Sequence, residues 1–483
     1  MICFLSQSAK GKFAFIGGIF HMLILGSITI IGSFSVYYTS YFKSINPSLS
    51  LHYSYLFQPI MTFFITIAGI AGGFIDHKFG SNVSILIGGI ILYVAALMFY
   101  FAKNIFYGYL CMMIFGIGFG ISTAITSKNV CLYFPKKKGL MFACMQSIMN
   151  LSSAVYNIIG EKLINPNDEQ IIKELDCYAP EIAQNYINYF KLLLFGIIPI
   201  GIFLSMTIVQ QFEEKIQLVE TKSELVEDTI IGDESMSNEE DSDSNEEQII
   251  PQRVEENNKD NALNKSRYKH DIIKAFKSGR IKTISAICFL ISFLPFLVVN
   301  TFKPIGSLFM INQTVLKLTQ SGNGIILCFL NPLFGFLADK FQTKHLVILL
   351  NIYAIFVSIV LCFSFNSNLL FAVAVLMNSV LTSGATTIFT PHVMKVFSVK
   401  YSMEINGLVG FSLGITNVLG AIFAFVIVQF FGANVSKTPY IVGYIVGILF
   451  NLLSIYFANK ESDEPFNYND DGEDEMIKEV SKK

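Results

Sequence analysis

Tryptophan is absent from the 483 residues, and arginine occurs only at 253, 267 and 280. Acidic residues are missing from most of the chain. Of 36 Asp and Glu, fourteen lie in 213–247 and nine follow Lys460, while 1–211 and 281–459 together hold only nine. Charged residues make up 14% of the whole, against about 25% in a soluble domain. A surface so poor in charge cannot keep a folded chain in water, which excludes a cytosolic enzyme. The eight cysteines include no CxxC spacing, and only Cys177 falls in an expected outer loop. That excludes a disulfide framework and a cysteine-built metal cluster. Alternating strands are lacking too, and with them a transmembrane β-barrel. No cluster of His, Asp or Ser faces one leaflet, so no intramembrane enzyme, metal or cofactor is expected, and nothing in the charge pattern suits a nucleic acid.

What is present is apolar: 53% hydrophobic residues, with 46 Phe and 21 Tyr, and a mean hydropathy of +0.54. Twelve apolar segments follow one another, each near the ~20 residues that cross a bilayer. The first six run at 13–41, 52–75, 82–102, 105–127, 139–160 and 190–211. The second six run at 281–302, 319–338, 345–365, 369–390, 405–430 and 438–458. Pro295, Pro304 and Pro391 predict breaks in the seventh and tenth. Lys10 and Lys12 precede an apolar stretch from Phe13 to Phe42, which is too long for a signal peptide and reads as a first span. The expected fold is all-α and polytopic, with twelve transmembrane helices in two sets of six.

Lysine sets the orientation. With the N-terminus inside, the short inner loops hold Lys78, Lys136, Lys137, Lys138, Lys340, Lys344, Lys395 and Lys400, whereas the short outer loops hold Lys43, Lys103 and Lys437. Positive charge stays on the cytoplasmic side, so both termini are expected there, and the sequons at Asn312 and Asn434 opposite. The organisation is then a cytoplasmic N-terminus (1–12), a first bundle (13–211), a linker (212–280), a second bundle (281–458) and an acidic tail (459–483). The linker's acidic, Ser-rich 213–247 cannot bury enough apolar surface to fold. Its basic end, 265–282, carries Tyr268, Ile272, Ile273 and Phe276. It suits contact with an anionic inner leaflet as well as ordinary positive-inside topology.

One motif occurs twice. Gly72-Gly73-Phe74-Ile75-Asp76-His77-Lys78-Phe79-Gly80 follows the second segment, and Gly335-Phe336-Leu337-Ala338-Asp339-Lys340-Phe341-Gln342-Thr343-Lys344 follows the eighth. In each, Gly permits a close helix approach four residues before an Asp, which can pair with a Lys or accept from a helix N-terminus. Gly72, Asp76, Lys78, Gly335, Asp339 and Lys340 are therefore candidate parts of a conformational latch. These loops resemble the GxxxD(R/K)xG(R/K) signature of the major facilitator superfamily. Gly116-Ile117-Gly118-Phe119-Gly120 and Tyr133-Phe134-Pro135-Lys136-Lys137-Lys138-Gly139-Leu140 are similar to the glycine-rich span and following loop of its oxalate–formate and monocarboxylate branch. The resemblance implies two bundles rocking around a central site.

Ionisable and polar residues within the segments are the candidate binding groups, because burying them in lipid is costly. Lys128 is placed as a cation facing a cavity or snorkelling to the surface. Lys43 and Lys303 stand at matching outer ends of the two halves. Asn150 and Asn417 occupy matching positions in the fifth and eleventh segments, and Gln146, Asn157, Asn331 and Asn378 are further amides. His21 is the deep titratable group, and no Asp or Glu is expected inside a span, which argues against carboxylate-driven proton symport. No Arg lies outside the linker, so a bidentate guanidinium clamp on a carboxylate is not available. The expected function is a secondary active or facilitative transporter in a lipid bilayer, carrying a small organic solute, a monocarboxylate-like anion, by alternating access. An amino-acid or other neutral-solute facilitator, and a non-transporting nutrient sensor, are the alternatives.

Overall fold

The computed structural model describes residues 7–167, 169, 172, 177–208, 270–309, 311–431 and 437–467. They fall into two units, one of 1–210 with 278–466 and one of 211–277 with 467–483. In the second unit, residues 270–277 are helical. The acidic stretch expected to be disordered, residues 265–269, Asn434 and the tail beyond 467 lie outside the described residues.

Among the described residues the first unit is helical apart from its turns and an isolated Ile172–Cys177 bridge, and each expected apolar segment is helical where described. The first span is α1 (Gln7–Thr29) and α2 (Ile31–Ile45), interrupted at Ile30. Then come α3 (Phe57–Phe79), α4 (Ser81–Tyr100), α5 (Ile105–Tyr133) and α6 (Lys138–Ile164). The sixth span begins earlier than expected, with α7 (Pro180–Gln184) and α8 (Tyr186–Leu192), and runs through a π-turn at Leu193–Ile197 into α9 (Ile198–Ile208). The second half holds α10 (Gly279–Leu308), α11 (Gln313–Lys340) and α12 (Thr343–Phe363). It continues with α13 (Asn368–Thr387), α14 (Phe389–Val396), α15 (Ser398–Phe431) and α16 (Thr438–Ala458). Of the expected proline breaks, α10 passes through Pro295 and Pro304 as one helix, whereas the tenth span divides at Ile388, just before Pro391.

Eleven stretches among the described residues are long and apolar enough to cross a membrane, and α6 is not among them. Its Gln146, Asn150, Asn157 and Glu161 dilute the apolar run. The reason is its position: α6 packs along α11, and α3 along α15, so these pairs join the halves. Contact is close enough to require glycine. A Cβ on Gly335 would lie 2.4 Å from the Gly139 carbonyl oxygen. Small residues permit such approach where lipid supplies no hydrophobic drive between helices.

The abundant aromatics have a packing role. Tyr38 is fully buried, with ring centroids of Phe99, Tyr186 and Phe190 at 5.2, 5.5 and 5.7 Å. Edge-on rings of this kind tie spans one, three and six of the first half. Gly116, Gly118 and Gly120 place α5 against backbone carbonyls of α3 and α4, so this glycine run is a packing surface. At the motif turn between α3 and α4, Gly80 has φ of 81°, a conformation that costs side-chain-bearing residues.

Candidate functional site

The two copies of the motif do different things. In the first, Asp76 stays within its own half: Lys128 Nζ of α5 lies 3.1 Å from its Oδ2, and Ser81 Oγ donates to its Oδ1 at 2.7 Å. Both side chains are largely buried, Lys128 at 14% and Asp76 at 8% exposure. Lys128 therefore has its charge compensated by Asp76 where it sits. Lys78, the nearest lysine in the motif, has its Nζ 5.0 Å from the centroid of the Phe79 ring.

In the second copy, Asp339 crosses between the halves. Its Oδ1 accepts from Gly139 N and its Oδ2 from Leu140 N, each at 2.9 Å. These amides open α6, where N–H groups have no partner inside the helix and the dipole favours an anion. The loop Phe134-Pro135-Lys136-Lys137-Lys138-Gly139-Leu140 thus ends in a carboxylate cradle: Pro135 starts a turn of 3-10 helix and α6 begins at Lys138. Lys340 has its Nζ over the Phe336 ring at 4.4 Å. Gly335 gives α6 room to reach Asp339. Gly72 lies against Met403 of α15 and Ile121 of α5, and a Cβ on Gly73 would meet Glu404 Oε1 at 2.4 Å. Glu404 is fully buried within α15, which corrects the expectation that no acid lies inside a span.

A second contact between the halves sits at the other end of the α6–α11 seam, and the sequence reading missed it. Glu161 Oε2 lies 3.7 Å from Lys317 Nζ and accepts from Tyr37 Oη at 2.7 Å. The Tyr37 ring is 4.5 Å from that of Tyr178. Nearer the middle, Asn157 Nδ2 donates to Ser321 Oγ at 3.4 Å. An eighth segment of 319–338 leaves Lys317 outside it, whereas α11 begins at Gln313. The i, i+4 spacing of Lys317 and Ser321, against the same spacing of Asn157 and Glu161, was the available signal.

Between these ends the polar groups are amides and hydroxyls. Asn150 is half-buried on α6, and its carbonyl would lie 3.2 Å from a Cβ on Gly324 of α11. Asn417 is buried and accepts from Asn300 Nδ2. Ser379 Oγ donates to Asn323, Ser383 Oγ to Asn331, and Asn378 Nδ2 to the Pro295 carbonyl. His21 is buried in α1 with neither ring nitrogen hydrogen-bonded. Lys43 is half-buried near the end of α2, and Lys303 lies on α10 with its side chain outside the described residues.

Residues 285–479 match the family model described as Major Facilitator Superfamily. No curated protein matches the chain. Among solved structures, the chain is similar to the major facilitator proton:xylose symporter XylE bound to 6-bromo-6-deoxy-D-glucose. The identity is 14% and the TM-score 0.63, over 95% of this chain and 98% of that one. At that identity the likeness speaks for fold alone. This chain therefore has the major facilitator fold, with the superfamily's sequence pattern met across its second half.

Proposed function

We propose that the protein is a solute transporter working by alternating access, and that its solute is held chiefly by amides and hydroxyls. The observation carrying this reading is the α6–α11 seam. It is closed at one end by Asp339 on the α6 amides and at the other by Glu161 with Lys317. Two latches at opposite ends of one seam are what a rocking pair of bundles needs, because each must yield while the other holds. The Asp339 end is cytoplasmic on the lysine asymmetry, with both termini and the linker on that side.

The lining favours a neutral or zwitterionic polar solute. Lys128 and Lys317 have acidic partners, and Lys395 Nζ donates to the Ala338 carbonyl. Asn150, Asn417 with Asn300, and Asn323 with Ser379 offer both donors and acceptors. A monocarboxylate-like anion is the second reading. It is supported by the resemblance of the Phe134–Leu140 loop and by Lys43 and Lys303 near the outer span ends, which would attract anions. Uptake into proteoliposomes, competed by a panel of monocarboxylates, amino acids and polyols, tests both. Competition by neutral polar solutes supports the first reading, competition by monocarboxylates alone supports the second, and no uptake of any member counts against transport.

A further inference from the structure

The segment after the last span, expected as a plain acidic tail, is folded back on the second half. Glu461 Oε1 lies 3.1 Å from Arg280 Nε at the start of α10 and 3.4 Å from His392 Nε2 in α14. Arg280 Nη2 also donates to the Ser462 carbonyl and, at 2.9 Å, to Ser462 Oγ. Asp463 takes the other side of the imidazole, with Oδ1 3.3 Å from His392 Nδ1. It also accepts from Thr343 N, the first residue of α12, at 3.1 Å. Phe466 N donates to the Val396 carbonyl at 2.7 Å, and the rings of Phe466 and Phe397 are 5.2 Å apart. Lys344 Nζ donates to the Asn459 carbonyl at 3.3 Å. Residues 459–466 thus touch the cytoplasmic ends of α10, α12 and α14 at once.

Their main object is α14. This eight-residue helix is set off from α13 by a bend at Ile388, across which Ile388 N still donates to the Gly384 carbonyl, and every residue except Lys395 is buried. On one side Met394 packs with Cys131 of α5 and Phe142 of α6, both in the first half, and Lys395 bonds the end of α11. On the other side His392, 1% exposed, stands between two carboxylates of the tail, and the last carbonyl of the helix is taken by Phe466. Two turns of helix beyond a bend draw little stability from their own ladder. The position of α14 depends on what is packed on either side.

We propose that residues 459–466 are a strap that positions α14 as the inner gate, so that releasing the strap loosens the Met394 contact with the first half and favours opening at the cytoplasmic face. His392 and Val396 are the points of attachment. Arg280, the last linker residue before α10 enters the bundle, is the anchor. Removing Glu461 or Asp463 leaves a buried imidazole facing one acid fewer, and such groups are costly to leave unmatched. The strap deepens the alternating-access reading above and rests on it for its purpose. Its test, however, needs no solute.

Cys131 reports on the gate because it is fully buried beside Met394. Cys111, fully buried in the same α5 but packed in the first-half aromatic core, serves as reference. The experiment compares N-ethylmaleimide labelling of both thiols, resolved by peptide mass spectrometry, in lipid nanodiscs. The proteins are the full chain, the Glu461→Gln/Asp463→Asn variant, Arg280→Gln, and a chain ended after Lys460. The strap predicts Cys131 labelling about tenfold faster in the double variant and the shortened chain, with Cys111 unchanged. Arg280→Gln should fall between them and the full chain. Cys131 labelling unchanged throughout would overturn the proposal. Equal acceleration of Cys111 and Cys131 would overturn it too, since the tail would then be stabilising the whole bundle rather than a gate. A chain that fails to carry any solute, yet shows the selective Cys131 response, would retain the strap and discard only the transport reading.

Discussion

Glu161 and Lys317 meet 3.7 Å apart across the halves, at the opposite end of the α6–α11 seam from the Asp339 carboxylate and the Gly139 amide. The two ends differ in kind. One is an ion pair of side chains, steadied by Tyr37; the other fixes a carboxylate on rigid backbone. The ion pair is partly exposed, Lys317 at 22% and Glu161 at 12%, so it contributes only about 1 kcal/mol. Lys317→Glu should therefore shift the equilibrium toward the outward-open state by about fivefold. Glu161→Lys combined with Lys317→Glu should restore it. Spin-label distances across the outer ends of α6 and α11 would read both, and an unchanged distance distribution in Lys317→Glu would remove Glu161–Lys317 from the outer closure.

The Asp339 cradle should matter more. Hydrogen bonds from amides to a charged carboxylate are worth about 1.5–3 kcal/mol each. Asp339→Asn keeps one acceptor oxygen and should open the cytoplasmic end measurably; Asp339→Ala should open it further. Lys78→Ala and Lys340→Ala, whose ammonium groups lie over phenyl rings, should have smaller effects. Cys131 labelling reads the series, and equal effects of Asp339→Ala and Lys340→Ala would contradict the cradle.

Lys128 and Asp76 form a pair whose members are costly apart. Removing one partner of a buried pair destabilises by about 3–5 kcal/mol, whereas removing both costs far less. Lys128→Gln should lower the thermal unfolding temperature in detergent, and adding Asp76→Asn should recover most of the loss. A solute-binding lysine would instead give a Lys128→Gln protein of full stability and weakened uptake.

Acid should leave the tail strap in place. Burial pushes the Asp463 carboxyl up, but contact and charge from His392 and the bonds from Thr343 outweigh it and hold it at about 2, below the ordinary 3.8. A depressed carboxylate contributes stability that is complete above its ordinary value and is lost as pH falls through the folded one. Hydrogen exchange of residues 459–466, corrected for intrinsic rates, should thus show the same protection near neutrality and at mildly acid pH. Asp463→Asn should lose protection at both. Protection that vanishes between pH 7 and 5 in the unaltered chain would contradict this assignment.

The spans were legible because each carries its own signal, an apolar run long enough for a bilayer. Even α6, too polar to count among the eleven apolar stretches, was legible as an apolar segment over 139–160. The motif acids were legible as a latch, but not which partner each takes, because Lys78 and Lys128 are equally plausible partners on paper. Only the packing of α5 on α3 places Lys128 beside Asp76. Glu161, Lys317 and Glu461 were passed over for a shared reason. Each sits at a span end, where a charged side chain in one sequence looks solvated, and their partners are far away along the chain. Glu404 was misplaced similarly: α15 starts at Ser398, earlier than the apolar run, and so draws an acid inside the helix.

The α6–α11 seam is expected to part for solute to pass. A disulfide between Asn157→Cys and Ser321→Cys, in a chain whose native cysteines are replaced, would hold the outer end shut where those side chains now touch. Uptake into proteoliposomes of whichever panel solute the unaltered chain carries is then measured before and after reduction. Uptake should be abolished while the cross-link is intact and restored by dithiothreitol. Full-rate uptake through the cross-linked protein would contradict it.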